Sequence, residues 1–337
     1  MGRQRPTLEA VARRAGVSRA TVSRVVNGST TVASTIREVV ERAVDELGYV
    51  PNQAARSLVT QRTGSIALIL PETASRVFSD DLFFPAVIRG VGTELETADK
   101  QLVLMLAGSA AGHARVERYA LAGHVDGVMF ASTHGAHPLP GTLAGLGVPV
   151  VCCGRPTAPS DRAIPYVDAD NLGGATAAVR HLIGTGRRRI AAIAGPQDMI
   201  AAVDRLAGYR ATVRAAGLPE HVAIGDFTRE SGVRAMRRLI ADDPGLDAVF
   251  AASDMMAHGA LEALRDAGRQ VPQDVALIGF DDVEISRYSD PQLTTVRQPI
   301  VEIGRTLARQ ILALVDGRAD VPPSVELPTE LVIRGSA

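Results

Sequence analysis

A stripe of small and polar side chains lies in the stretch "GVSRATVSRVVNG", from Gly16 to Gly28. At helical spacing it presents the side chains of Ala20, Ser23, Arg24 and Asn27. An arginine at such a position can donate two hydrogen bonds to a guanine edge, and the hydroxyls of Ser18, Thr21 and Ser23 can bond phosphates. The competing interpretation is a solvated helix face with no binding role.

Charge is unevenly distributed along the chain. Residues 1–62 hold ten arginines and no lysine against five acidic residues, which gives this segment a net charge of +5. The whole chain carries a formal net charge of −1, so the remaining residues sum to −6. Because attraction to nucleic acid depends on local charge, this pattern predicts a polyanion-binding head on an acidic body.

Three short helices are predicted to position the polar stripe. Thr7 can cap a first helix that buries Leu8, Val11, Ala12 and Ala15, and Gly16 can end it. Ser18 can cap a second helix whose apolar face carries Val22, Val25 and Val26. A third helix ends at Gly48 and has an apolar stripe of Ile36, Val39, Val40, Ala43, Val44 and Leu47. The first two helices have the spacing of a helix-turn-helix, in which the second helix enters a major groove.

The next segment, "YVPNQAARSLVTQRTG", has no apolar periodicity long enough to stabilise a helix by itself. A short helix beginning near Pro51 would carry Ala54, Ala55 and Leu58. Isolated helices of this length are marginal in water, so we expect this segment to order only on a partner. It is a candidate hinge.

From Ser65 onward, apolar runs typical of buried strands alternate with helical patterns. The runs are "SIALILP", "QLVLMLA", "VDGVMFAS", "VPVVCCG", "RRIAAIAG", "LDAVFAAS" and "DVALIGF". Such runs predict parallel sheets covered by helices on both faces, and their number over roughly 270 residues favours two lobes. Ligands of such sheets bind beyond the carboxyl ends of the strands.

Patterns required by enzymes, metal sites and membrane proteins are absent from the sequence. "GVGTEL" lacks the third glycine of a dinucleotide fingerprint, and no glycine-rich loop ends in Gly-Lys before Ser or Thr. The histidines His113, His124, His134 and His137 are scattered, without metal-ligand spacing. The only cysteines, Cys152 and Cys153, read as core residues of one strand. We expect no catalysis, no cofactor and no metal, and, without a signal peptide or membrane span, a cytoplasmic chain associated with the nucleoid.

The sequence resembles the lactose-repressor (LacI/GalR) family of bacterial transcriptional regulators. The resemblance is carried by "TLEAVARRAGVSRATVSRVVNG", "VASTIREVVERAVDELGYVPNQAARSL" and core blocks such as "DGVMFAS", "VFAASDMMAHGAL" and "VPQDVALIGFDD". It implies a multidomain fold, with a small all-α helix-turn-helix headpiece (1–50), a hinge helix and linker (51–62), and a two-lobed α/β core like that of periplasmic binding proteins (63–337). The amino-terminal lobe would take about 63–167 and 297–323, and the carboxyl-terminal lobe about 168–296 and 324–337.

The resemblance also implies which residues contact DNA. Arg19 and Ala20 would choose bases at the start of the recognition helix, and the shared contacts would come from Thr21, Ser23, Arg24 and Asn27. Thr7 and Ser18 are further candidates for DNA contacts. Asn52 would begin the hinge helix, in which Ala55 and Leu58 would enter the minor groove. Leu58 would wedge a base step there and kink the duplex.

Effector contacts are implied at loops that follow the core strands. They are Phe83, Phe84, Ser132, Arg155, Asp198, Met199, Arg205, Phe227, Ser253, Asp254 and Asp281. Aromatic faces, carboxylates and arginine suit a sugar, and the competing interpretation is packing, helix capping by Asp254, or coupling between lobes by Arg205. Met199 and Ala201 stand where nucleobase-binding relatives carry polar side chains. The insertion "ETASRVFSDDL", with Arg76, Asp80 and Asp81, lengthens the cleft rim and favours a di- or oligosaccharide.

The sequence therefore predicts a sequence-specific DNA-binding repressor of carbohydrate-utilisation genes. A sugar in the cleft between the lobes would release it from a palindromic operator by melting the hinge. Its partners would be double-stranded operator DNA, the small-molecule effector and a second copy of the chain, because the carboxyl end has no apolar heptads for a tetramer. A regulator that uses a corepressor or activates transcription, or a free sugar-binding receptor, remains open at this point.

Overall fold

The computed structural model describes residues 6–26, 29, 31–50, 62–79, 82–135, 137–158 and 163–337. The chain forms two compact units, divided between Thr63 and Gly64. Within these ranges, no helix is both long and apolar enough to cross a membrane. The predicted fold class, an all-α headpiece with a two-lobed α/β core, is confirmed.

The first unit consists of the helices α1 (Leu8–Ala15), α2 (Arg19–Val26) and α3 (Ser34–Leu47). The predicted caps form, because the Thr7 hydroxyl accepts a hydrogen bond from the Ala10 amide at 3.3 Å and the Ser18 hydroxyl accepts one from the Thr21 amide at 3.1 Å. These caps satisfy amides that a helix start leaves without an internal partner.

A small apolar cluster holds the three helices together. Its buried members are Val11, Ala12, Val22, Val25, Val40, Ala43 and Tyr49. The predicted stripe of α3 is wrong at one edge, because Ile36 and Val39 are 39% and 43% exposed. The stripe is buried at Val40 and Ala43 and partly buried at Val44 and Leu47, which pack against the same cluster.

The first lobe of the second unit is a six-stranded sheet with helices on its faces. In chain order, its elements are β1 (Ser65–Leu70), α4 (Ala74–Val77), α5 (Phe83–Thr97), β2 (Gln101–Leu106), α6 (Ala110–Leu121), β3 (Gly127–Phe130), α7 (Leu139–Gly145), β4 (Val150–Cys153), β5 (Tyr166–Ala169), α13 (Ile300–Val315) and β11 (Ser324–Leu327). The strand order is β11-β5-β4-β3-β1-β2, and every neighbouring pair is parallel. Central strands are buried throughout, as the apolar runs predicted.

The second lobe repeats this design. Its elements are α8 (Asn171–Gly184), β6 (Ile190–Ala194), α9 (Ile200–Ala215), β7 (His221–Ile224), α10 (Arg229–Asp242), β8 (Ala248–Ala251), α11 (Asp254–Asp266), β9 (Ala276–Asp281), α12 (Ile285–Tyr288), β10 (Thr294–Arg297) and β12 (Glu330–Val332). The order is β12-β10-β9-β8-β6-β7, with β12 antiparallel to β10 and the other pairs parallel.

The chain crosses between the lobes three times. The crossings follow β5, β10 and β11, since β5 and β11 belong to the first sheet and β10 and β12 to the second. Our prediction that the carboxyl-terminal lobe resumes at about 324 is wrong, because Ser324–Leu327 pairs with β5 of the first lobe. In each sheet the order reverses beside the first strand, and the loops after β1, β3, β6 and β8 mark the places where ligands bind in such folds.

Candidate effector cleft and nucleic-acid interface

In the first unit, α2 presents the residues predicted to read DNA. Arg19, Ala20 and Arg24 are exposed, whereas Thr21 and Ser23 are half-buried. The Arg19 guanidinium lies 3.1 Å from the Glu9 carboxylate, and the Ser18 and Thr21 hydroxyls are 2.9 Å apart. The α2 surface thus offers one arginine in an ion pair and a second, Arg24, in the last turn. Asn27, Asn52, Ala55 and Leu58 lie outside the described residues.

In the second unit, a small cavity of about 80 Å³ opens between the carboxyl ends of the two sheets. Its lining comes from both lobes and consists of Arg76, Phe83, Phe84, Ser132, Met199, Ala201, Arg205, Phe227, Ser253, Met255, Asp281 and Gln298. An adjoining cavity of about 70 Å³ shares half of these residues and adds, among others, Thr133, Cys153, Asp168 and Asn171. Small-molecule sites have this mixture of apolar walls with few polar groups.

Arg205 is the charged centre of the cavity and is only 5% exposed. Its Nε donates to the Asn171 amide oxygen at 2.8 Å, and its Nη1 donates to the Ala252 carbonyl at 2.7 Å and to the Asp281 carboxylate at 3.2 Å. The guanidinium also lies 3.7 Å from the centre of the Phe280 ring. Burial lowers the pKa of Arg205, and the carboxylate of Asp281 acts in the opposite direction. An arginine stays cationic under such conditions, so the site holds a fixed, fully oriented cation.

The neighbouring residues Asp281 and Asp282 have different roles, since Asp281 faces the cavity and Asp282 binds arginines of the second lobe. Asp281 lines the cavity and also accepts a hydrogen bond from the Gln298 amide at 2.6 Å. Asp282 accepts hydrogen bonds from Arg297 at 2.7 Å and from Arg334 at 2.5 Å. Burial alone would raise the pKa of Asp282, but these two arginines hold it below its ordinary value. Both aspartates have a positive φ, 117° and 56°, which marks a strained turn of the kind found at functional sites.

Asp254 was expected to contact the effector, but the structure places it away from the cavity wall. It is fully buried and accepts hydrogen bonds from the Val283 amide at 3.0 Å and the Thr295 hydroxyl at 2.5 Å. Burial raises the pKa of Asp254 well above its ordinary value. Its neighbour Ser253 lines the cavity and caps α11. Asp254 therefore connects three segments of the second lobe, which are the start of α11, the loop after β9 and the strand β10.

Three aromatic rings border the cavity. Phe83 and Phe84, at the start of α5, form an edge-to-face pair with ring centres 5.6 Å apart. Phe84 is almost fully buried in the first lobe, so Phe83 presents the larger free surface. Phe227, from the second lobe, has a φ of 66°, and its ring covers Gly195 so closely that a Cβ there would lie 2.4 Å from it. Faces of this kind stack on sugar rings.

Polar contacts tie the lobes together at the cleft. His134 of the first lobe contacts Glu72 at 3.1 Å and Asp198 of the second lobe at 2.9 Å. Hydrogen bonding to Glu72, and then to Asp198, raises the pKa of His134 to about 9. The Gly135 amide also donates to the Asp198 carbonyl at 2.7 Å. Imidazole is therefore cationic at neutral pH and donates from both nitrogens.

Asp198 and Arg155, both predicted effector contacts, belong to these ties instead of the cavity lining. Arg155 donates to both oxygens of the Asp204 carboxylate, at 3.0 and 2.9 Å, and thereby joins the loop after β4 to α9. Ser132 lines both cavities and has a φ of 62°, with its hydroxyl donating to Glu72 at 2.7 Å. The remaining predicted residues, Phe83, Phe84, Met199, Arg205, Phe227, Ser253 and Asp281, are brought together by the structure.

Sequence reasoning missed several polar residues of the cleft. Asp168 lies near the end of β5, Asn171 follows β5, Gln298 follows β10, and Glu72 follows β1. A position just after a strand is the signal that could have found them, but "PYVDAD" and "TTVRQP" were not recognised as strand ends. His134 carried no signal of its own, because its two carboxylate partners are distant in sequence.

Comparison with known proteins matches the two units to separate sequence families. Residues 7–52 match the family described as bacterial regulatory proteins, lacI family, and residues 179–337 match the periplasmic binding protein-like domain. The HTH-type transcriptional regulator CelR of Thermobifida fusca is 48% identical over 337 residues, covering 99% of each chain. A solved complex of the transcriptional regulator CelR with cellobiose aligns with a TM-score of 0.79 and 46% identity, over 99% of this chain and 100% of that one. A lac repressor dimer bound to operator and the anti-inducer ONPF aligns with a TM-score of 0.84 and 27% identity, over 99% of both chains.

Proposed function

We infer that this chain, which belongs to the LacI family of bacterial regulatory proteins, represses carbohydrate-utilisation genes and releases its operator when a sugar binds. It is a DNA-binding transcriptional regulator and not an enzyme. It would work as a homodimer at the nucleoid, in the cytoplasm, on a palindromic operator whose two half-sites meet the two headpieces.

The observation that carries the sugar assignment is the cavity between the lobes. The flat rings of Phe83 and Phe227 border it, and Asp281, Arg205 and Gln298 supply acceptors and donors in one connected network. Aromatic faces suit the C–H surface of a sugar ring, and charged hydrogen-bonding groups suit its hydroxyls. The two adjoining cavities lie along one cleft, and a solved structure of 46% identity is a complex of the transcriptional regulator CelR with cellobiose. We therefore propose a disaccharide of the cellobiose class as effector.

For the headpiece, we propose that Arg24 reads a guanine edge in the major groove, while Ser18, Thr21 and Ser23 position the helix on phosphates. Arg19 and Ala20 select among operators, and Thr7 approaches the backbone at the start of α1. Asn27, Asn52, Ala55 and Leu58 retain their proposed DNA contacts, with Leu58 as the minor-groove wedge. The exposure of Arg19, Ala20 and Arg24 on α2 supports this assignment.

The switch follows from linkage between two binding equilibria. Sugar and operator favour different arrangements of the lobes, so that each weakens the binding of the other by the same factor. Coupling of this kind is worth about 1 to 3 kcal/mol, or roughly 5- to 150-fold in affinity. The effector thereby lowers operator affinity without touching the DNA.

The test is an operator-binding titration with the full chain. An operator is first selected from a pool of randomised duplexes, and its affinity is then measured by fluorescence anisotropy at fixed salt. We expect cellobiose to weaken binding by at least about fivefold, and glucose, maltose and lactose to act less. Persistent operator binding in the presence of every sugar would refute the sugar-release proposal. Tighter binding with cellobiose would identify a corepressor instead.

A further inference from the structure

We propose that Glu9 is a positioning residue of the headpiece, which holds Arg19 so that its guanidinium meets a guanine of the operator. This inference rests on the proposed DNA recognition and deepens it, because it requires a guanine at the base pair that Arg19 reads. Glu9 lies on α1, outside the stripe of α2 that was predicted to contact DNA.

The backbone at Arg19 is fixed by the turn between α1 and α2. Arg19 is the first residue of α2 and follows Ser18, whose hydroxyl caps this helix. Gly16, with a φ of 67°, ends α1, and Val22 holds α2 in the apolar cluster of the unit. The side chain of Arg19 is nevertheless 73% exposed. The first turn of a recognition helix is the part that reaches base edges in a major groove.

Glu9 is held in place beside this turn. It lies in the first turn of α1, where the unpaired backbone amides of a helix start favour a carboxylate. Hydrogen bonds from its own backbone amide and from the Thr7 hydroxyl lower the pKa of Glu9. Val11 and Ala12, from the same helix, are buried in the cluster that also holds α2. The carboxylate is therefore a well-placed anion next to the recognition helix.

The contact between the two side chains leaves the end of the guanidinium available for DNA. The Glu9 carboxylate lies 3.1 Å from Nε of Arg19, on the side of the guanidinium. Within the residues that the structure describes, Nη1 and Nη2 of Arg19 have no hydrogen-bond partner. Because both side chains are more than half exposed, the ion pair adds little to the stability of the fold. It does restrict the arginine, so less conformational entropy is lost when Arg19 binds a base.

The two available nitrogens favour guanine for a chemical reason. Guanine presents two acceptors to the major groove, N7 and O6, which Nη1 and Nη2 can bond together. Adenine places an amino group beside its N7, and thymine has one acceptor beside a methyl group. A guanidinium only donates hydrogen bonds, so it cannot bond the amino groups of adenine or cytosine. Without Glu9, the arginine is free to turn to a phosphate, which carries no sequence information.

The experiment measures base preference with the full chain. The selected operator is varied one base pair at a time in competition anisotropy, and the base pair at which Arg19→Ala loses its preference is the one that Arg19 reads. There we expect the unmodified chain to prefer guanine by at least about fivefold. Glu9→Gln, which keeps the size of the side chain and removes its charge, should reduce this preference about two- to fivefold. In the Arg19→Ala background, Glu9→Gln should change no base preference, since the residue that Glu9 positions is absent.

Glu46→Gln is the matched control. Glu46 of α3 forms an exposed ion pair with Arg14 of α1, so this variant also loses one negative charge and one ion pair of the headpiece, but none at α2. Both variants should gain the same affinity for random duplex, because each loses one charge that repels phosphates. An unchanged guanine preference in Glu9→Gln, an equal loss in Glu46→Gln, or a preferred base other than guanine would overturn the proposal. If the unmodified chain selects no operator, DNA recognition itself fails, and the role of Glu9 fails with it.

Discussion

Replacing His134 by alanine should weaken sugar binding and remove its dependence on pH above neutrality. The imidazole joins Glu72 and Asp198, and of its two hydrogen bonds only the one to Asp198 crosses between the lobes. Because this bond exists only while the lobes lie together, its loss favours their separation. A ligand that contacts both lobes then binds less tightly, since it must also supply the free energy that the tie provided.

The magnitude follows from one hydrogen bond between charged groups. Such a bond contributes about 1.5 to 3 kcal/mol when it is shielded from water. The side chains of His134 and Asp198 are 36% and 54% exposed, so solvent screening reduces the value to about 1 kcal/mol. This corresponds to roughly a fivefold loss of affinity. The Gly135 amide still donates to the Asp198 carbonyl in the variant, which keeps the loss moderate.

The direction of the pH effect follows from the raised pKa of His134, about 9 against an ordinary value of 6.5. Stabilisation by the cation is complete below about pH 6.5 and is lost as the pH rises through about 9. Burial tends to raise the pKa of Glu72, but hydrogen bonds from His134 and Ser132 keep it below the ordinary value. That carboxylate therefore stays ionised throughout this window, and a neutral sugar does not titrate there.

Calorimetry with cellobiose at several pH values from about 7 to 10 tests this reasoning. The unmodified chain should lose roughly fivefold in affinity across this range, whereas His134→Ala should begin at the lower affinity and change little. His124→Ala is the control, since His124 is an exposed histidine of the same lobe whose ring lies against that of Tyr119, with ring centres 4.7 Å apart. If the affinity for cellobiose changed with pH in the same way for the unmodified chain and for His134→Ala, the proposal that His134 holds the two lobes together would be refuted.

Three further predictions distinguish residues that contact DNA or sugar from residues that support the fold. Arg24→Ala should lower the affinity for the selected operator about 5- to 150-fold, which is the value of a bidentate base contact, and calorimetry should show unchanged cellobiose binding. An equal loss of affinity for a random duplex would show that Arg24 contacts a phosphate and not a base. Asp281→Asn should lower cellobiose affinity at least about tenfold because it disturbs both Arg205 and Gln298. Asp254→Asn should preserve cellobiose binding and change the free energy of unfolding in urea by less than about 1 kcal/mol, because an amide can accept from Val283 and donate to Thr295. Loss of sugar binding in Asp254→Asn alone would reverse these two assignments.

The elements predicted best are those whose signal is local. The caps of α1 and α2 follow from single hydroxyl residues, Thr7 and Ser18, and the central strands follow from continuous apolar runs. The strands that were missed are β5, β7, β10, β11 and β12, each three or four residues long and several of them at a sheet edge with alternating or partial burial. An edge strand needs few apolar residues, so its sequence resembles a loop.

The cleft was predicted only in part, because its function depends on contacts between distant segments. Phe83, Arg205 and Asp281 were expected through the family resemblance, and the structure brings them to one cavity. Asp254 and Asp281 look alike in sequence, as acidic residues at the carboxyl ends of neighbouring strands. Only the fold separates them, since the fully buried one supports α11 and β10 and the other faces the cavity.

The connection between the cavity and the lobe crossings gives the effector a direct physical route to the arrangement of the lobes. Gln298 follows the last residue of β10, where the chain passes to the first lobe, and it donates to the same Asp281 oxygen that accepts from Arg205. Asp282, the residue after Asp281, accepts a hydrogen bond from Arg297 at the end of β10. A ligand hydroxyl that donates to Asp281 competes with Gln298 for the same oxygen. It thereby affects the segment after β10, in which the chain passes from the second lobe to the first. Since a ligand shifts an equilibrium only by its differential affinity for the two states, the Asp281–Gln298 contact is where we expect that difference to arise.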